Sequence, residues 1–313
     1  MRFAWDDDQL AFRDAARDLL AKECPPGLVR AATDGLDPRP WVALDDMGVL
    51  SVLVPEAGGG LGLDELSLVP VLVEAGRVAL PHPIVETAMV AAPLGVTGGL
   101  VVTDLGGPLV PAAADADVLV LQGRHELRRF APDEVEVAAA ESVDPARRLG
   151  RVRALAEGSV VTDDRDAIEL AFDRGVLGTA AQLVGLAHAM LDLTVAYVIE
   201  RQQFGVPVGS FQAVKHHLAD ARLAIEFAEP AVMRAAWSVA HGEPTRERDV
   251  SMAKALATDA ASTTGRAALQ CHGAIGYTVE HDLHLYLKRS WALAHAWGDR
   301  GFHADRVARA LSI

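Results

Sequence analysis

Along the first ninety residues, apolar positions recur at helical spacing. Leu10, Phe12, Ala16, Leu19 and Leu20 follow the acidic run Asp6 to Asp8, which favours a helix N-terminus, and Pro25-Pro26-Gly27 stops that helix. The pattern predicts a second helix from Pro40-Trp41 to Met47-Gly48 and a third from Asp64 to Val78. Between them, Val54-Pro55-Glu56-Ala57-Gly58-Gly59-Gly60-Leu61-Gly62 holds too much glycine for helix or strand. From about Gly98 to Asp164 the period shortens. Runs such as Val118-Leu119-Val120-Leu121 and the alternation Val135-Glu136-Val137, bounded by Gly, Pro and Asp, predict a small sheet. From Ala167 onward helix returns. Leu183, Leu186, Ala187, Met190, Leu193, Thr194 and Tyr197 share one face, and Gly205-Val206-Pro207-Val208-Gly209 breaks the pattern. Further helices are predicted over Phe211 to His241, Arg246 to His272 and Glu280 to Ala296, making a four-helix bundle. The expected fold is therefore mainly α: an N-terminal helical domain (1–97), a small truncated β domain (98–165) and a C-terminal bundle (166–313).

Composition narrows the function classes. Half of the 313 residues are apolar and only 5% aromatic, which suits packed helices. A formal charge of −14 argues against a nucleic-acid partner, because phosphate backbones need a basic surface. Two cysteines, Cys24 and Cys271, sit outside any metal-binding spacing and suit a reducing cytoplasm. The acidic start Met1-Arg2-Phe3-Ala4-Trp5-Asp6-Asp7-Asp8 has no apolar run, so no signal peptide is expected. The stretch from Leu80 to Leu100 is interrupted by Pro81, Pro83, Pro93 and Glu86, too broken to span a membrane. His216-His217, His281, His284 and His295 lack a convincing ligand set, and no metal is expected.

Two clusters carry candidate chemistry. Arg201-Gln202-Gln203-Phe204-Gly205, followed by Phe211-Gln212, puts a cation, amides and an aromatic where a long helix ends. Such groups can clamp a pyrophosphate, pair with a ring edge and pack on a flat ring. They would equally serve as an ordinary helix C-terminus. Gln270-Cys271-His272-Gly273-Ala274-Ile275-Gly276-Tyr277 could hold a ligand's polar edge, or could be a plain glycine cap.

Together, R-x-x-F-G-x-P-x-x-x-F-Q and Q-x-H-G-x-x-G-Y-T-x-E resemble the paired signature of the acyl-CoA dehydrogenase family, and the resemblance extends over the whole chain. It implies an FAD cofactor and α,β-dehydrogenation of an acyl-CoA, with electrons passed to a separate acceptor. Arg201, Gln203, Phe204 and Gln212 would match residues touching the phosphates and ring system of a neighbouring subunit's flavin. Gln270, Gly273 and Ala274 would match the stretch holding its adenosine end. Arg128-Arg129 and Arg147-Arg148 are expected to be solvated, the alternative being a basic patch near the β region that meets CoA phosphates.

The family's catalytic glutamate falls on Gly298, and its alternative base position on Gly175. Neither has a side chain, so no catalytic residue is expected. Asp299 and Asp173 stand one residue away, and such a displacement is poorly tolerated by proton-transfer geometry. The Thr and Gln that usually follow the glutamate are Arg300 and Phe302 here. This asymmetry resembles the short subunits of actinobacterial heteromeric acyl-CoA dehydrogenases used on steroid-CoA thioesters. The expected partner is then a longer, base-bearing subunit, most simply in a heterotetramer. A homo-oligomeric enzyme with an Asp base, or a non-enzymatic acyl-CoA- or protein-binding module, are the alternatives.

Overall fold

The structure, a computed structural model, describes residues 3–312. Met1 and Arg2, the first residues of the start read as lacking a signal peptide, lie outside that range. Three helices lead: α1 (Asp7–Glu23), a short α2 (Pro26–Ala31) and α3 (Pro38–Asp46), followed after the glycine-rich loop by α4 (Glu65–Arg77). Pro26 does not merely stop α1. At the first turn of α2 its missing N–H costs nothing, so it starts a helix that the sequence pattern had not predicted. A π-helical turn, Val85–Ala91, closes the N-terminal stretch.

Six strands follow: β1 (Val101–Thr103), β2 (Val118–Gln122), β3 (Leu127–Phe130), β4 (Val135–Ala139), β5 (Gly150–Ala154) and β6 (Ser159–Thr162). β1, β2, β3 and β6 form one sheet in that order, with only the β1–β2 pair parallel, while β4 and β5 form a separate antiparallel ribbon. Thr87 Oγ1 donates to the Val101 carbonyl (2.8 Å) and accepts from the Val101 N–H (3.2 Å), tying the π turn to β1.

The remainder is helical: α5 (Arg165–Glu200), α6 (Gln212–Ala240), α7 (Arg246–His272), α8 (Leu283–His295) and a further α9 (Arg300–Leu311). The chain between α5 and α6 makes a hairpin of β7 (Gln202–Gln203) and β8 (Val206–Pro207). α5 is the core helix, about 54 Å long at 1.5 Å per residue. It is long and apolar enough to cross a membrane, but most of its most apolar stretch is buried inside the fold. Where α4 crosses it, backbones touch: a Cβ at Gly185 would meet the Val73 carbonyl at 1.9 Å, and one at Gly76 the Gln182 carbonyl at 2.2 Å. Only glycine allows that approach.

The acidic composition has a local use. Asp6, Asp37, Asp64, Asp164 and Asp299 each cap the helix that follows, accepting a backbone N–H from its first turn. Across the molecule, the buried Arg289 of α8 pairs with Asp144 and donates to the Leu80 carbonyl, joining the bundle to both preceding stretches.

Candidate functional site

The outward-facing residues cluster at one end of the bundle. α5 ends at Arg201, whose backbone is already extended and whose N–H donates to the Tyr197 carbonyl (2.9 Å). The β7–β8 hairpin then turns through Phe204 (φ 53°) and Gly205 (φ 79°). Left-handed backbone at both central residues is the tight two-residue hairpin turn, and Gly205 adopts it freely. A bulky aromatic there costs about 1–2 kcal/mol. The strain buys a displayed ring: Phe204 is 93% exposed, resting only edge-on against Phe211 at 6.2 Å.

Gln212 opens α6 just beyond, also exposed. Tyr197 stacks on His272 (4.4 Å), with His281 edge-on to both, and this fastens the C-terminal ends of α5 and α7 together. Exposed Gln270, Gly273 and Ala274 thereby come to the same end of the bundle as Arg201. Gln203 donates to the neighbouring Gln202 carbonyl (2.8 Å). Among the described residues, the Arg201 guanidinium and the side-chain amides of Gln212 and Gln270 have no intramolecular partner. The donors at this end are thus free for an external anionic or polar group.

The inner site is the opposite: closed. Trp297, 2% exposed, has its indole pressed between two glycines. A Cβ on Gly175 would lie 2.3 Å from the ring, and one on Gly106 would lie 2.7 Å from it. The Trp297 backbone N–H donates to the Gly106 carbonyl (3.1 Å). At Gly298 (φ 93°), a Cβ would meet Phe302 at 2.4 Å and His303 Nε2 at 2.9 Å. Both positions that match the family's base positions are therefore filled by neighbouring rings.

The turn carrying Gly298 is held rigidly. Lys254, fully buried on α7, donates to the carbonyls of Ala294 (3.1 Å) and Gly298 (3.2 Å). Burial brings its ammonium down to about 7. His303, brought down to about 4 by burial, is neutral near pH 7. Its Nε2 faces the Trp297 carbonyl (2.9 Å), which can only accept, so Nε2 carries the proton and Nδ1 accepts from Ser251 Oγ (3.2 Å).

The two aspartates nearest the base positions have structural partners. Asp173, 1% exposed, receives Arg246 Nε (2.7 Å) and Arg306 Nη2 (2.8 Å). Asp299 caps α9, accepting the Phe302 N–H at 2.8 Å. That bond is the largest cause holding its carboxyl below the usual range.

Two polar residues in this region were not singled out by sequence. Glu86, on the π turn, and Arg147, expected to be solvated, are 6% and 9% exposed and line a cavity of about 290 Å³ beside Trp297. Burial pushes the Glu86 carboxyl up, favouring the neutral acid, against the opposing pull of Arg147. The available signals were a lone glutamate in an apolar run and an arginine beside an Asp-Pro turn; neither reveals burial. Arg148, by contrast, is half-buried and pairs with Asp115 (2.7 Å). Arg128 pairs with Glu126 at 2.6 Å rather than being left to solvent.

The family model for the acyl-CoA dehydrogenase N-terminal domain matches residues 6–99, and the one for the C-terminal domain matches residues 165–312. Acyl-CoA dehydrogenase IpdE2 of Mycobacterium tuberculosis is 32% identical over 302 residues, covering 91% of this chain and 91% of that one. Two solved structures share the fold. A chain of the ChsE4-ChsE5 complex from Mycobacterium tuberculosis has a TM-score of 0.88 at 23% identity, covering 100% of this chain and 99% of that chain. The Tcur3481-Tcur3483 steroid ACAD G363A variant has 0.85 at 22%, covering 98% of each.

Proposed function

The chain belongs to the acyl-CoA dehydrogenase family, and on that premise we propose that it is the non-catalytic subunit of a heteromeric, FAD-dependent acyl-CoA dehydrogenase. FAD, the family's cofactor, supplies the hydride acceptor when bound. In this reading Arg201 holds the phosphates of a flavin seated in a longer partner subunit. Phe204, Gln203 and Gln212 pack on and pair with its ring system, and Gln270, Gly273 and Ala274 close over its adenosine end. The partner provides the base that removes the proton α to the thioester carbonyl.

One observation carries the proposal: the Trp297 indole occupies the space in front of Gly175 and Gly106, while the unpartnered donors and the displayed Phe204 all lie on the outer end of the bundle. The engagement of Asp173 by two arginines and of Asp299 by a helix N-terminus speaks against an Asp base in a homo-oligomer. The names of relatives and fold neighbours, a two-component complex and a steroid enzyme among them, support a steroid-type acyl-CoA and a hetero-oligomer. The proposal includes a division of the chain at 97/98, which lies between elements, and at 165/166, one residue inside the start of α5, and a cytoplasmic setting with a separate electron acceptor.

The test is co-expression with a longer family member. The single chain should purify colourless and inactive, and the pair should be yellow and turn over acyl-CoA. Phe204→Ser and Arg201→Ala should each weaken FAD retention by the pair about tenfold or more, one to two lost polar or stacking contacts. Stoichiometric FAD with turnover in the single chain would overturn the proposal. CoA binding with no flavin in any assembly would favour a binding module instead.

A further inference from the structure

The cavity beside Trp297 has a polar floor and an apolar throat. Glu86 and Arg147 lie at the floor, Leu109 and Trp297 wall it, and exposed Trp291 and Val143 stand at the mouth, with Glu141 and His295 also lining it. Its volume of about 290 Å³ corresponds to roughly ten water-sized volumes at ~30 Å³ each. That is room for a compact molecule and too little for a whole CoA thioester.

The guanidinium at the floor has no contact partner among the described residues. Asp144, the aspartate nearest Arg147 in sequence, is taken up by Arg289. Glu86, driven toward its neutral acid by burial, is within Coulombic reach of Arg147, but no contact ion pair joins them. Among the described residues the Arg147 guanidinium has no hydrogen-bonded partner, although it is nine-tenths buried. A buried guanidinium without an acceptor is costly, and its planar fork of donors matches a carboxylate. Burial favours the protonated form of Glu86, and in that form its O–H is a further donor beside the guanidinium. Glu86 also sits on a π-helical turn, a geometry that recurs at functional sites.

We propose that this cavity binds a small carboxylic acid anion with a compact apolar body, its carboxylate received by Arg147 and Glu86 and its body held against Leu109, Trp291 and Trp297.

The experiment titrates the full chain, alone and co-purified with its partner, with cyclohexanecarboxylate and with neutral cyclohexylmethanol. It follows tryptophan fluorescence and heat. The carboxylate should bind saturably and at least about tenfold tighter than the alcohol, the factor one charge-assisted bond corresponds to. Arg147→Met should remove that preference. Leu109→Trp, at a half-buried wall position that leaves Arg147 intact, should abolish binding of both probes while the melting temperature holds. If Arg147→Met does not fold, Leu109→Trp decides together with the two-probe comparison. Equal affinity for acid and alcohol, binding untouched by Leu109→Trp, or no saturation up to the solubility of the acid would each overturn the proposal. Because the readout is binding and not dehydrogenation, failure of the partner reading leaves this result interpretable.

Discussion

Gly175→Ala is the smallest change that asks whether the position matching the family's alternative base is sealed. An added Cβ would lie 2.3–2.4 Å from three carbons of the Trp297 ring, against 3.4 Å or more for ordinary contact. The ring cannot retreat freely, because a Cβ at Gly106 would already lie 2.7 Å from it. Exchanging glycine for alanine inside a helix normally stabilises by about 0.5–1 kcal/mol. Overpacking costs about 1–3 kcal/mol, and overlap with three ring atoms points to the upper end. The difference is a net loss of about 2 kcal/mol, or about 4 °C for a long chain. The assay is thermal and urea unfolding followed by circular dichroism. Gly27→Ala is the control, a helical glycine whose added Cβ meets nothing within 4 Å, and it should be neutral or stabilising. Trp297→Leu should itself be costly, but in its background Gly175→Ala should lose its penalty, a coupling of about 1 kcal/mol or more. A Gly175→Ala chain that melts at or above the parent, or penalties that simply add, would refute the packing argument.

Two further predictions concern charges. Asp173→Asn leaves two buried-side arginines short of their counter-charge and should cost about 3–5 kcal/mol in urea unfolding. Asp299→Ser keeps a capping oxygen and should stay within about 1 kcal/mol of the parent. In folded complexes with the partner, neither should reduce turnover appreciably; a tenfold fall in kcat at unchanged stability would identify a base. Lys254 titrates near 7 in the folded protein against 10.5 unfolded, so between those values the unfolded chain holds more protons. Stability contributed at this position is therefore lowest below pH 7 and rises with pH, by up to about 1.4 kcal/mol per unit. The stability difference between the parent and Lys254→Met should accordingly grow in the parent's favour from pH 7 to pH 9.5. A flat difference across that range would show that the ammonium is not desolvated.

Much of the fold was legible because periodicity reports burial. The long helices appear within a few residues of their predicted spans: Asp64 to Val78 became Glu65–Arg77, and Phe211 to His241 became Gln212–Ala240. Missed elements lacked that signal. α2 is six residues long, and α9 buries only the polar His303 and Arg306 rather than an apolar stripe. The outer cluster was legible as a motif, and its exposure is consistent with facing a neighbour. The inner cavity was not, since Arg147 and Arg148 are adjacent and chemically identical, yet one is buried and the other pairs near the surface.

By itself, the sequence determined that this chain is helical around a small sheet, that it carries family-like motifs around Arg201 and Gln270, and that positions 175 and 298 lack carboxylates. Those are properties of residue type and spacing, which local physics expresses directly. Only the tertiary structure decided what occupies the places left by the missing side chains. Trp297 and Gly175 are far apart in the chain, and nothing in either neighbourhood specifies that they touch. Close packing makes the choice: a helix end bearing two left-handed residues, anchored by a buried lysine, lays an indole across two glycines. The same packing strands Arg147 beside a cavity, because which charges find partners depends on long-range contacts that periodicity does not encode.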